Sequence, residues 1–498
     1  MNISRRDFIK ASTLFSAWAA LAACTPIKPT VAGSTGTASF PSQVPAMDDE
    51  GLILHALRRF TFGPTPEMIN KARQKGLMAY MEEQLAPDSI PDPETDSLLE
   101  RFTTLTMTPA QRFQVDQKNL PAQELVTATI LRQWRSQRQV YEMMVDFWSN
   151  HFYIYIGKSL CRVLKTDDDL KTIRPNALGK FNDLLHASAH SPAMLIFLDN
   201  AESQKEAPNE NYAREMMELH TVGVTGGYTQ EDVTQVARVL TGWSITGPNS
   251  LLQEPGQFIF RPNFHDDSQK LVMGTAIAPS GEEEGNSLLD LLAHRPSTAQ
   301  FISQKLARRF ITDNPDPALV NDLAQVFTQT DGDSRQMVRA IVASDSFKNS
   351  AGQKFKRPTE FFLSALRLSG ATITQRSQKL QEYLRLLGQI PFTWEQPNGF
   401  PDVAGFWATT SGLLERWNFG MQLVSGQIDG AELDMKSLTN DAASPQDVVD
   451  VLSIRFLTAK LPDNARSILV DFASTGDLGS NLASVAGLIL GSPHFQVR

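Results

Sequence analysis

One segment of this chain is dense in acid, amide and imidazole groups: Asn209-Glu210-Asn211-Tyr212-Ala213-Arg214-Glu215-Met216-Met217-Glu218-Leu219-His220, followed by Thr221-Val222-Gly223. Read as an α-helix with Gly223 just past its end, a turn of about 100° per residue puts Asn211, Glu215 and Glu218 on one face. Two carboxylates and an amide so placed can hold a divalent metal or share a proton. His220 falls roughly 180° from Asn211 and joins that face only where the helix ends early. The segment also reads as structure alone. Glu210 and Arg214 make a surface pair four residues apart, and His220 suits the negative helix end.

Other groups could converge on it. His151 sits in Trp148-Ser149-Asn150-His151-Phe152 and His265 in His265-Asp266-Asp267. A histidine among aromatics is commonly a satisfied core side chain, and a His-Asp pair in a loop is commonly a turn. Asp183, His186 and His190 share one helical face, and the two histidines have metal-ligand spacing. The run from Pro391 to Asp402, continuing to Phe406-Trp407 and Trp417, packs aromatics into a Pro/Gly loop. Such a loop suits a sugar or peptide, or is pinned to the core by its own rings. There is no His-Glu-Xaa-Xaa-His zinc helix, di-iron Glu-Xaa-Xaa-His repeat, phosphate loop, Rossmann glycine pattern or Gly-Xaa-Ser-Xaa-Gly elbow.

Helices must position these groups. Thr65-Pro66-Glu67, Thr229 with Asp232, and Ser444-Pro445-Gln446-Asp447 are helix starts, each with a capping hydroxyl. Arg295-Pro296-Ser297 and Arg357-Pro358-Thr359 open two more, the first running through Phe301, Leu306 and Phe310. Strand signals are scarce. Phe258 to Met273, around the polar turn Asp266-Asp267-Ser268, suggests one hairpin. The fold class is therefore mostly α, a multi-helical body with a small β-hairpin insertion. Gly281-Glu282-Glu283-Glu284-Gly285 reads as a solvated loop. It divides residues 48–498 into halves at about 48–275 and 286–498, unless the two are one domain.

At 498 residues and 41% apolar, the chain has ample material for a buried core. Its formal charge of −9 argues against nucleic acid as a partner. The first 24 residues give an address: Ser4-Arg5-Arg6-Asp7-Phe8-Ile9-Lys10 reads as a twin-arginine export signal, and Leu21-Ala22-Ala23-Cys24 as a lipoprotein cleavage box. The apolar stretch Ala11 to Ala23 is shorter than the ~20 residues a span needs. Cleavage before Cys24 leaves a mature chain near −11, lipid-anchored through Cys24, with residues 24–47 as a flexible tether. Thr25 in place of an inner-membrane retention Asp favours the periplasmic face of the outer membrane. Of the two cysteines, only Cys161 then remains, in a context typical of a small buried apolar residue.

Several runs together resemble the bacterial family catalogued as domain of unknown function 1800. They are His55 to Pro66, Trp148-Ser149-Asn150-His151-Phe152, Pro192-Ala193-Met194-Leu195, Asn209 to Trp243, Phe264-His265-Asp266, Lys356-Arg357-Pro358-Thr359-Glu360 and Leu387-Gly388-Gln389. The resemblance spans about residues 50–497. It implies an exported, mostly helical protein, often encoded beside a partner related to sulfatase-like and phosphatase-like proteins, and it supplies no reaction. Its motifs coincide with His151, the 209–220 segment and His265. The expectation is an envelope enzyme, a metal-dependent hydrolase, in which Glu215, Glu218 and His220 do the chemistry while His151, Asn211 and His265 hold a divalent metal. The alternative is a non-enzymatic envelope assembly or binding protein in which the same motif is a buried structural network.

Overall fold

Helix starts fall where hydroxyls and prolines place them. Thr65 accepts from the Met68 amide ahead of the helix Pro66–Lys75, Thr229 and Asp232 form a reciprocal capping box, and Ser444 accepts from the Asp447 amide. At the start of another helix the Arg357 amide and guanidinium both donate to the Glu360 carboxylate, with Pro358 in the first turn. The computed structural model describes residues 49–498 apart from 251–252, 375–376, 440–441, 443 and 476–477, and those residues belong to one compact unit. The export signal with Arg5 and Arg6, the lipidation site Cys24 and the tether lie outside the described residues.

The elements that matter for the site follow in chain order. α1 (Asp49–Phe60) turns its Ile53, Ala56, Leu57 and Phe60 face inward. α2 (Leu120–Arg135) and α3 (Gln139–His151) are adjacent, and α4 (Phe181–Ala189) follows. α5 (Glu210–Glu215) passes directly into a wider π-helical turn, Met216–His220, and α6 (Gln230–Val239) packs on α5. After a β-rich stretch come α7 (Glu282–Ala293) and α8 (Pro296–Phe310). α9 (Pro358–Ser369) has every residue buried, the mark of a helix enclosed on all sides. Around it pack α2, α10 (Thr410–Val424) and α11 (Pro445–Leu457).

Three two-stranded antiparallel sheets are the strand content of the described residues. β1 (Trp243–Ile245) pairs with β2 (Phe258–Phe260), and β3 (Lys270–Val272) with β4 (Thr275–Ile277). The hairpin expected around Asp266-Asp267-Ser268 is thus replaced by two. Pro262 opens a short 3₁₀ turn after β2, which ends that strand before it can return along β3. The tight turn lies instead at Met273-Gly274, both with positive φ, as a two-residue hairpin of the right twist requires. The acidic run also departs from expectation. Glu282, Glu283 and Glu284 form the first turn of α7, where carboxylates meet the positive helix end, so the run is no solvated linker.

α9 carries the charge around which these segments close. Glu360, 3% exposed, bonds to Arg309 at the end of α8, to Arg357 one turn before it, and to Arg498 at 3.0 Å. Asp146 of α3 bridges Arg309 at 2.8 Å and Arg357 at 2.5 Å. Lys354 joins Asp313 at 2.7 Å to Asp402 at 2.9 Å. Burial pushes the Glu360 carboxyl up, but Arg309, Arg498 and Arg357 hold it well below the usual carboxylate range. Substituting Glu360→Gln preserves shape and leaves three buried guanidiniums without their shared charge. The expected loss is about 3–5 kcal/mol in urea-unfolding free energy. A loss under about 1 kcal/mol would mean the arginines find other acceptors.

Candidate functional site

The 209–220 segment begins as expected and then changes pitch. Asn209 caps α5 through the Asn211 amide at 2.8 Å, and Glu210 pairs with Arg214 at 3.3 Å. From Met216 the turn widens; the Thr221 hydroxyl donates to the Met216 carbonyl, and the Gly223 amide to Met217. Such insertions recur at functional sites, and here the extra residue per turn breaks the regular wheel. Glu215 and Glu218 remain close to each other and to Arg214, half-buried, with the Tyr228 hydroxyl bonded to Glu218. Burial and the neighbouring Glu218 raise the Glu215 carboxyl above its ordinary value.

His220 is turned the other way, into the core. Its ring packs 5.1 Å from Phe152 and 6.2 Å from His151, and neither ring nitrogen has a hydrogen-bond partner. The His151 ring donates through Nε2 to the His220 carbonyl at 3.0 Å, which leaves Nδ1 as an unpartnered acceptor. Burial, then the nearby Lys305 charge, lowers His220 to about 3 and takes His151 well below the ordinary imidazole value. Both rings are therefore neutral. The expected catalytic set is split, Glu215 and Glu218 toward the surface and His220 inside.

The expected metal ligands separate as well. His265 donates through Nδ1 to the Thr241 carbonyl at 2.8 Å, and its Nε2 meets Glu284 at 3.0 Å. Glu284, fully buried, also receives Lys270 at 2.5 Å. Burial raises the Glu284 carboxyl, but Lys270 and His265 outweigh it and hold it below its usual value. The Asn211 amide donates to the Leu198 carbonyl at 3.2 Å. His151, Asn211 and His265 thus each bind a different protein group, and among the described residues no group of three His, Cys, Asp or Glu side chains is placed to hold a metal. The bonds of His151 and Asn211 to these carbonyls use a side-chain N–H, and the His151 Nδ1 lone pair has no partner.

The remaining candidates are structural too. His186 pairs with Asp290 at 3.0 Å while His190 donates to the His186 carbonyl and lies 4.4 Å from the Trp243 ring, so their spacing serves the end of α4. Cys161 is buried, raised by that burial to about 12, and its thiol faces the Ala193 carbonyl. The Pro391–Trp407 loop is held from within. Asn150 grips the Phe400 backbone from both sides at 3.0 and 2.8 Å, and the Tyr153 hydroxyl accepts from the Trp394 amide at 2.6 Å. Gly399 has φ +70, and a Cβ there would lie 2.3 Å from the Asn150 carbonyl, so that grip requires glycine. Phe400 and Trp407 are buried with Tyr153 and Phe355, and Phe406 alone of the loop's large apolar residues stands exposed among them.

Sequence reasoning missed Lys305. It lies one turn after Phe301 on α8, over that ring at 5.4 Å and near both neutral imidazoles, and among the described residues no carboxylate forms an ion pair with it. Burial, then Arg308, lowers its amine to about 7 against the pull of Asp402. The signal was available: Phe301, Lys305 and Arg309 recur every four residues, which sets cations on a stripe otherwise facing the core.

The family described as "Protein of unknown function (DUF1800)" matches residues 55–497, and the chain belongs to that family. No curated protein and no solved structure matches it.

The neutral imidazoles give the fold a defined acid sensitivity. His55, lowered to about 3 by burial and by Arg59, behaves as His220 does. Unfolded imidazoles titrate near ~6.5, so below that pH the unfolded chain binds protons that the folded one excludes. Stability is full above about pH 6.5 and falls by about 1.4 kcal/mol per unit and per ring as the medium is acidified. Urea unfolding at pH 7 and pH 5 checks this, and His220→Leu should flatten the slope by one ring's share. An unchanged slope in that variant would remove His220 from the account.

Proposed function

We propose that this chain is an exported, lipid-anchored protein of the cell envelope that acts by binding a separately encoded partner rather than by metal-assisted hydrolysis. One observation carries the reading: His151, Asn211 and His265 each tie their element to a distant backbone carbonyl, at His220, Leu198 and Thr241. Long-range bonds of that kind fix a shape, and shape is what a binding surface needs. The exposed apolar side chains Phe406, Leu413 and Leu414 lie within one short stretch of sequence at the end of the pinned loop, and exposed apolar groups are what a docking partner would cover. A sulfatase-like or phosphatase-like envelope protein is the partner the family context favours. Among the described residues no helix is long and apolar enough to cross a membrane, so in this reading attachment falls to the lipid on Cys24.

A second reading rests on Glu215, whose carboxyl is raised by burial and by Glu218. That is the condition of a general acid, and it needs no metal. Stability separates the two. Glu215→Gln with an unchanged melting temperature and a lost cellular phenotype supports the enzyme. A stable Phe406→Asp/Leu414→Asp variant that no longer co-elutes with the neighbouring gene product supports the binder, whereas a wild type that forms no such complex rejects it.

Location is tested apart from activity. Changing both Arg5 and Arg6 to Lys should leave precursor in the cytoplasm, because the export route reads the arginine pair and not charge alone. Cys24→Ala should abolish acyl labelling and release the protein from the membrane fraction. A wild-type protein that takes no acyl label would overturn the anchorage.

A further inference from the structure

Two of the motifs described above, His55 to Pro66 and Lys356 to Glu360, line a recess between the end of α1, the start of α9, the end of α11 and the segment His494–Arg498. The recess is partly open to solvent. Three cations converge on it, Arg58, Lys356 and Arg498, and the one carboxylate in its lining is Glu360. Glu360 is already shared among Arg309, Arg357 and Arg498. Arg58, half-buried, donates through Nε to the Thr458 hydroxyl at 2.7 Å, and among the described residues no carboxylate pairs with it. Lys356 is 8% exposed and lies 3.6 Å over the Phe495 ring, and among the described residues no carboxylate pairs with it.

Buried cations without partners are costly, and what relieves the cost is an anion. We propose that this recess binds a phosphate-type oxyanion, held by the paired terminal nitrogens of Arg58 and the ammonium of Lys356, with Arg498 adding charge from behind. The free edge of a guanidinium matches two oxygens of one phosphate, and an ammonium serves a third as a point charge. A phosphate carries about −1.5 to −2 near pH 7, enough to offset a surplus that a single carboxylate would leave partly unbalanced. The site stands apart from the 209–220 segment and rests on neither reading of the proposed function. Protonation agrees with the geometry. Burial, then Arg58 and Arg498, lowers Lys356 well below the ordinary ammonium value while Glu360 pulls the other way and Arg416 adds repulsion, a cost that a bound anion would reduce. His494, also in the lining, is likewise lowered by burial.

Titration calorimetry on the full chain in non-ionic detergent tests the proposal, with inorganic phosphate, with glycerol phosphate, and with sodium chloride at matched ionic strength. The wild type should bind phosphate where chloride gives no signal, and Arg58→Gln and Lys356→Met should each weaken binding at least tenfold. Lys356→Met removes a charge repelled by its neighbours, so it should melt no lower than the wild type, which separates lost binding from lost folding. Arg58→Lys keeps the charge without the two-nitrogen edge and should lose several-fold. Tighter binding of glycerol phosphate identifies an esterified ligand such as a lipid headgroup, tighter binding of inorganic phosphate a free one, and either upholds the site. Binding no stronger than chloride, or equal in the wild type and both charge-removing variants, overturns it.

Discussion

The buried carboxylate of Glu360 is the constraint to which most of this structure answers. A charge enclosed in a helix with no exposed face must be neutralised by groups brought from elsewhere, and here they come from α8, from the turn before α9 and from Arg498. Asp146 then ties two of those arginines back to α3. Segments distant in sequence are fixed to one another by directional bonds that tolerate little sliding. Glu360 is also the one carboxylate in the lining of the recess that Arg58 and Lys356 share beside α1.

Two further networks follow the same rule at smaller scale. Glu284 in α7 gathers His265 and Lys270, which locks the second hairpin to the helix beside it. Arg174 joins Glu142 of α3 to Asp169, near the other π-helical turn of the chain, Asp168–Ile173. In each case a motif rich in acid and imidazole serves the architecture. The density of reactive side chains in a sequence is therefore a poor measure of catalysis when their partners are already supplied by the fold.

The π-helical turn at Met216–His220 gives the 209–220 segment two faces. On one, Glu215 and Glu218 lie half-buried beside Arg214 and Tyr228; on the other, His220 enters an apolar pocket with Phe152 and Tyr212. Lys305 lies close to that pocket, and its charge further disfavours protonation of both imidazoles there. Histidine in such a place acts as a flat, polarisable core residue, and its titration is transferred to the stability of the whole chain.

What the sequence determined by itself was local. Capping hydroxyls, prolines at first helical turns and the scarcity of β-rich runs specify helices opening at Pro66, Gln230, Pro296, Pro358 and Pro445, because those preferences act within one turn. The family was legible for the same reason, its motifs being contiguous runs. Of the candidate site, the pairing of Glu210 with Arg214 and the common face of Glu215 and Glu218 could be read from spacing. Tertiary structure decided the rest. The acidic run at Glu282 became a helix start because Lys270 and His265 were there to meet Glu284, and β2 found β1 rather than β3 because Pro262 turned the chain away. His151 and His220 met, and His265 did not join them, since the widened turn and the partners on other elements are set by packing across long sequence separations. Burial and charge pairing depend on which distant groups arrive, and no local pattern encodes that.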